Sequence, residues 1–246
     1  MKVFAISDLH LASAVNKPMD VFGAGWENYV EKITQDWQSK VSGQDLVLLP
    51  GDFSWAMTEQ EVQPDLRFLQ ELPGTKVLLR GNHDYWWSTL SKVRRMLPSS
   101  VQVLQNDCLR FGSLLVCGSR GWTCPDKALS KEDEKIYKRE ALRLELSLQE
   151  MQRRKQEGDR VICMMHFPPF NVRREDSAYT QLLIRYGVQN VIFGHLHGKD
   201  CRADLDFYRF GIHFRLVSTD LVGHRLTELI ELSSEGDASK TGQDVR

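Results

Sequence analysis

Short apolar runs rich in Val, Leu and Ile recur along the chain with few polar interruptions: KVFAIS (2–7), DLVLLPG (45–51), KVLLRG (76–81), RVICMMH (160–166) and NVIFGH (190–195). A strand buried on one face alternates apolar and polar residues, whereas a strand covered on both faces is apolar almost throughout. The five runs therefore predict strands of a central sheet. Amphipathic stretches between most of them predict helices over 26–40, 58–71, 88–96 and 177–187, which gives an α/β chain.

Two further patterns are antiparallel. CLRFGSLLVCG sets Gly112-Ser113 between two strand runs, the composition of a type II′ hairpin turn. FYRFGIHFRLVS around Gly211 and RLTELIEL (225–232) predict more strands toward the C-terminal end. Between Ser130 and Glu157 the pattern is that of a long charged helix, with Ser130 as N-cap and Asp133 as a shorter form of the capping-box acid. Tyr137, Ala141, Leu144, Leu148 and Met151 keep one apolar stripe, and Leu142 and Leu146 are expected to widen it. A helix packed on the flank of its own domain is the first reading, with a lid or a dimer contact as alternatives. One domain over 1–232 is expected, with a helical insertion at about 123–158. The polar tail SSEGDASKTGQDVR (233–246) is expected to be disordered.

Composition narrows the classes. A chain of 246 residues, 41% hydrophobic and 26% charged, can bury a sizeable core and suits a soluble globular protein. The net charge of −1 gives no global field to attract nucleic acid or an anionic membrane. Arg94-Arg95, Arg153-Arg154-Lys155 and Arg173-Arg174 are short clusters diluted by nearby acids, so no track for extended nucleic acid is present. Cys108, Cys117, Cys124, Cys163 and Cys201 form no CxxC pair, which argues against a thiolate zinc site and for a reduced, cytoplasmic protein. The apolar start of the chain is too short for a signal peptide, and no run reaches the roughly 18–20 residues of a membrane span.

The placement of the ionisable residues changes the picture most. Asp8 and His10 close the first predicted strand, Asp52 the second, and Asn82, His83 and Asp84 the third. His166 closes the fourth, and His195 and His197 close the fifth. In α/β sheets, residues distant in sequence converge outside the carboxyl ends of the strands. Any one of these endings has a structural explanation as a turn or a helix cap; five in succession do not. Carboxylate, imidazole and amide oxygen without thiolate suit divalent Mn²⁺, Fe²⁺ or Zn²⁺. The donors are too many for one ion, and two ions about 3.5–4 Å apart clamp the attacking and leaving oxygens of a phosphate ester.

The order D-x-H, G-D, G-N-H-D, H, G-H-x-H resembles that of the calcineurin-like metallophosphoesterase superfamily, with motifs spread from residue 8 to 197. The resemblance implies two packed mixed β-sheets flanked by helices, an α/β/β/α sandwich with a binuclear metal centre on one edge. It implies that Asp8, His10, Asp52 and His197 hold one ion. Asp52, Asn82, His166 and His195 would hold the other, with Asp52 bridging. His83 matches a residue that is not a ligand and protonates the leaving oxygen, and Asp84 matches the partner that orients it and keeps it charged.

The segment GDFSWAM lacks the arginine that follows the second motif in protein phosphatases, and the GHxH ending is similar to the phosphodiesterase-like branches. A small phosphodiester or pyrophosphate compound is the expected substrate. A phosphomonoesterase and a non-catalytic scaffold on the same fold are the alternatives. Arg120 in GSRGW and Arg173-Arg174 in FNVRRED are candidate phosphate contacts. Trp55, Trp86, Trp87 and Trp122 either pack the helices that start near them or form an aromatic wall for a base or lipid-like leaving group. His213 and His224 read as structural, and the sequence leaves the oligomeric state open.

Overall fold

In the computed structural model, residues 1–126, 128–198 and 201–232 are described; the tail expected to be disordered, 233–246, lies outside them. In chain order the elements are β1 (Lys2–Ala5), α1 (Tyr29–Lys40), β2 (Leu46–Pro50), α2 (Gln63–Glu71), β3 (Thr75–Leu79), α3 (Leu90–Met96), β4 (Val101–Leu104), β5 (Cys108–Phe111) and β6 (Leu114–Ser119). They continue with α4 (Lys131–Arg154), β7 (Arg160–Met165), α5 (Ala178–Arg185), β8 (Asn190–Phe193), β9 (Asp206–Arg209), β10 (Ile212–Leu216) and β11 (Thr227–Glu231).

The strands form two mixed sheets, one in the order β11-β1-β2-β3-β4 and one in the order β5-β6-β7-β8-β10-β9. In the first, β1 to β4 run parallel and β11 closes the edge antiparallel. In the second, β6, β7, β8 and β10 are parallel, flanked by antiparallel β5 and β9. The near-continuous apolar runs follow from this layering, because each central strand is covered twice. Val3, Ala5, Leu46, Leu48 and Val77 meet Val116, Ile162, Met164 and Ile192 in the core between the sheets. Phe4, Val47, Leu49 and Leu78 face the other way, with Ile33 and Trp37 of α1 and Leu66 and Leu69 of α2. On the far side, Cys163, Val191 and Phe214 pack with Leu144, Leu148 and Met151 of α4 and Leu183 of α5. The result is the expected α/β/β/α sandwich.

Several details differ from the sequence reading. The strand β4 was not foreseen, because Gln102 interrupts a run of only four residues. The first helix begins at Tyr29 rather than near 26: Ala24–Trp26 form a 3₁₀ turn and Asn28 adopts φ 53°. The second begins at Gln63, with Pro64 in its first turn where the missing N–H costs nothing. Leu142 and Leu146 do not widen the buried stripe of α4; they are 62% and 55% exposed, and Glu140 and Ser147 are buried instead, beside the expected Leu144, Leu148 and Met151. The hairpin at Gly112-Ser113 is a two-residue turn, with Phe111 paired to Leu114 and positive φ at Gly112 but not at Ser113, as type II′ requires.

The sheets meet at the edge where their parallel strands end. The Ser7 amide donates to the Val217 carbonyl across the interface at 2.8 Å, and His166 Nδ1 lies 3.0 Å from the Pro50 carbonyl. This edge gathers the polar strand ends.

Candidate metal centre

The backbone at the strand ends is strained in a pattern that follows the expected ligands. Asp8, His10, Asp52 and His195 have φ of 57°, 47°, 52° and 70°, a region that costs a non-glycine residue about 1–3 kcal/mol. Such conformations persist where the surroundings hold them. Here the carboxylates pass very close to neighbouring backbone. A Cβ on Gly81 would lie 2.0 Å from Asp52 Oδ1, and one on Gly194 would lie 2.5 Å from Asp8 Oδ2. The φ of Gly81 is not positive, so what the glycine permits is this close approach rather than a left-handed turn.

Donor atoms of Asp8, His10 and His197 lie within 4.8 Å of one another, and so do those of Asp8, Asp52 and His166. Asn82 joins the second group, its Oδ1 2.7 Å from His166 Nε2 and 3.0 Å from His195 Nδ1. Asp52 Oδ2 sits between the groups, 3.5 Å from His166 Nε2 and 3.9 Å from His10 Nε2. Asp8, His10, Asp52, Asn82, His166, His195 and His197 are thus brought together.

The electrostatics fit a cation. Burial pushes the Asp8 carboxyl up to about 6 and that of Asp52 up to about 8, with Asp84 beside Asp52 adding to the rise. Burial pushes the imidazoles down, His195 to about 3 and His10 and His166 also below their usual range. At neutral pH His10, His166 and His195 therefore each keep a free lone pair, beside an Asp52 carboxyl that resists ionising without a positive partner. Asp52 Oδ2 and both ring nitrogens of His10 are buried without a hydrogen bond among the described residues, which leaves the carboxylate oxygen and one imidazole lone pair free for a cation.

Asp8 is held by groups that sequence reasoning missed. The hydroxyls of Ser7 and Ser218 donate to its Oδ2 at 2.5 and 2.9 Å, and the His195 amide donates at 3.0 Å. Ser218 lies 210 positions away, with no local signal to find it.

Asp84 departs from its expected role. Its Oδ1 accepts from the amides of Phe53 and Ser54 and the Trp86 indole, and its Oδ2 from the amides of Asp52 and Gly81, all at 2.7–3.2 Å. These donors occupy the carboxylate, so it pins the 51–54 loop to the 81–84 loop rather than holding the His83 ring. The His83 amide donates to Asp52 Oδ1 at 2.8 Å, and its ring packs against Trp55 at 4.5 Å between centroids and His10 at 5.7 Å. Burial lowers His83 to about 4, and among the described residues no carboxylate bonds to its ring to keep it charged.

The aromatic residues divide. Trp86 and Trp87 are buried in the core beneath α1–α3, whereas Trp55 stacks on His10 at 4.7 Å and belongs to the site. Trp26 meets His10 edge-on at 6.4 Å, a neighbour the sequence did not indicate. Trp122 packs on Phe167. His224 bonds to the Gly25 carbonyl and to Thr219, and His213 pairs with Asp206, in keeping with structural roles. Of the candidate phosphate contacts, Arg120 turns to Glu140 at 3.3 Å, Arg173 is tied to Glu175, and Arg174 pairs with Asp204 over the Phe207 ring.

A two-sheet sandwich with such a cluster on its carboxyl edge suits a metal-dependent hydrolase. The sequence model of the calcineurin-like phosphoesterases matches residues 1–199, and the chain belongs to that family. Among solved structures, the chain is similar to TT1561 of Thermus thermophilus, at 14% identity and TM-score 0.56, over 92% of this chain and 97% of that one. It is also similar to the phosphopantetheinyl hydrolase PptH from Mycobacterium tuberculosis, at 14% identity and TM-score 0.55, over 93% and 95%. GAP50, the anchor in the inner membrane complex of Plasmodium, follows at 12% identity and TM-score 0.52, over 89% and 72%. Identities this low establish the shared fold. No curated protein matches the chain significantly. Among the described residues no helix is long and apolar enough to cross a membrane.

Proposed function

We propose that the protein is a hydrolase that uses two divalent ions, Mn²⁺, Fe²⁺ or Zn²⁺, to cleave a small phosphodiester or pyrophosphate compound. The observation that carries this reading is the unpartnered Asp52 Oδ2 between the imidazoles of His166 and His10, within one cluster of seven oxygen and nitrogen donors. Asp8, His10, Asp52 and His197 would hold one ion, and Asp52, Asn82, His166 and His195 the other. Bound there, the ions would activate a water for attack on phosphorus and draw charge from the ester oxygens.

The chain's own groups do the rest. His83 stands beside the cluster, against Trp55, and donates a proton to the leaving oxygen; the anionic substrate counters the burial that otherwise keeps this imidazole neutral. Asp84 is a positioning residue for the loops that carry Asp52 and Asn82. A cavity of ≈450 Å³ runs from His195 along Phe167, Phe170, Cys124 and Leu196 to Arg174. Its apolar wall suits an aromatic or aliphatic leaving group. We infer a reducing, cytoplasmic setting from the scattered cysteines, none of them in a CxxC pair.

The test compares a chromogenic phosphodiester with the matching monoester in Mn²⁺, alongside Asp52→Asn. Faster diester cleavage, lost on chelation and in the variant, is expected. A marked monoester preference would refute the diester assignment, and equal activity in Asp52→Asn would refute the metal assignment.

A further inference from the structure

One strand outward from the metal centre in each sheet, the ends of β3, β4 and β6 and a face of α4 enclose a cavity of ≈230 Å³ lined by none of the proposed metal ligands. Four guanidinium groups border it: Arg80 just past β3, Arg120 just past β6, and Arg139 and Arg143 from α4. One carboxylate answers them. Glu140, 1% exposed, offers a single oxygen to three partners, Arg143 at 2.7 Å, Arg120 at 3.3 Å and Arg139 at 3.4 Å.

The wall therefore carries more positive charge than Glu140 balances, and it holds donors with nothing to donate to. Arg80 Nε, Arg120 Nε and Ser119 Oγ are buried and without a hydrogen bond among the described residues. Like charges around a void are unfavourable unless something negative fills it.

We propose that this cavity is a second binding site, for a phosphate-type oxyanion, separate from the metal centre. Guanidinium forks match the spacing of phosphate oxygens, and the volume admits a phosphoryl group with water around it. The site adjoins the catalytic loops through the main chain. Arg80 directly precedes Gly81-Asn82, and the Arg120 carbonyl accepts from the amides of His166 and Phe167 at 3.1 and 2.9 Å. The anion is either free phosphate or a second phosphate on the substrate.

The experiment is calorimetric titration of the full-length protein, as purified with its metals, with inorganic phosphate. Two equivalents are expected, one at each site. Arg80→Met should weaken one of them roughly 10–100-fold, the range for losing a charge-assisted hydrogen bond, and leave the other unchanged. Because Arg80 Nε has no hydrogen-bond partner among the described residues to strand, the variant should also melt no lower than the wild type without phosphate. Arg139→Gln, on a half-exposed side chain, should weaken the same equivalent. Asp52→Asn should do the reverse, keeping the equivalent that Arg80→Met loses, so failure of the metal reading would leave this test intact. Phosphate binding that neither arginine variant changes would overturn the proposal. Kinetics then separates the two sources. A rise in KM in Arg80→Met confined to substrates with a second phosphate assigns the site to substrate, and altered inhibition by free phosphate alone assigns it to the free anion.

Discussion

Replacing Asp84 separates two accounts of this residue, a partner of the His83 ring or a pin between loops. Its carboxylate accepts from four backbone amides and the Trp86 indole and is buried. A buried donor left without an acceptor costs about 1–3 kcal/mol, and losses at neighbouring donors add incompletely. Asp84→Ala should therefore cost on the order of 4–6 kcal/mol, a large part of the 5–15 kcal/mol typical of a whole domain. Asp84→Asn is more informative. An amide can still accept from Phe53, Ser54 and Trp86 through one oxygen, but its NH₂ would face the amides of Asp52 and Gly81, donor against donor. About 2–4 kcal/mol is expected. Urea unfolding gives the stability, and a Mn²⁺ titration gives the second readout: weaker affinity, because Asp52 and Asn82 sit on the two unpinned loops. Asp84→Asn within about 1 kcal/mol of wild type, with normal Mn²⁺ affinity and a rate loss that grows with the leaving-group pKa, would refute the pin and restore the ring partner.

His83→Ala should lower turnover roughly 10²–10⁴-fold on esters with a poor alkoxide leaving group and much less on nitrophenyl esters, with Mn²⁺ content unchanged; a uniform loss across leaving groups would count against general acid catalysis. In metal-free protein, Asp52 is raised to about 8 in the fold, so the folded chain holds a proton the unfolded chain has released. The imidazoles, lowered in the fold and half-protonated near pH 6.5 in the unfolded chain, push stability the other way, so the Asp52 contribution is read as a difference: between pH 6.5 and 8 wild type should lose about 2 kcal/mol relative to Asp52→Asn by chemical denaturation, and equal pH slopes in the two proteins would refute it. Trp86→Ala empties a fully buried site and should cost about 3–5 kcal/mol by denaturation, while the folded variant keeps the wild-type order of substrate preference.

Much of the molecule was legible before the structure. The two-sided burial of β1, β2, β3, β7 and β8 writes itself as unbroken Val, Leu and Ile runs, and each run stops at a residue that cannot be core. Asp8, Asp52, Asn82, His166 and His195 are visible for that reason. What was hidden depends on partners distant in sequence or on a side chain's direction. Ser218 reaches Asp8 from the other sheet. Asp84 looks like a neighbour of His83 in the sequence, yet its carboxylate turns back to the 51–54 loop. Arg120 follows a strand end as a phosphate contact should, but its side chain pairs with Glu140 on α4 and lines a cavity apart from the metal ligands. On α4 itself, Leu142 and Leu146 fall just off the buried face, an angular difference that a list of apolar positions does not resolve.

The central claim is that one cluster holds two ions bridged by Asp52. The most direct test is a Mn²⁺ titration of metal-free protein followed by electron paramagnetic resonance. Two equivalents should bind, with the spectrum of a spin-coupled pair that collapses to isolated ions in Asp52→Asn. A single equivalent in the wild type, or two ions without coupling, would contradict it.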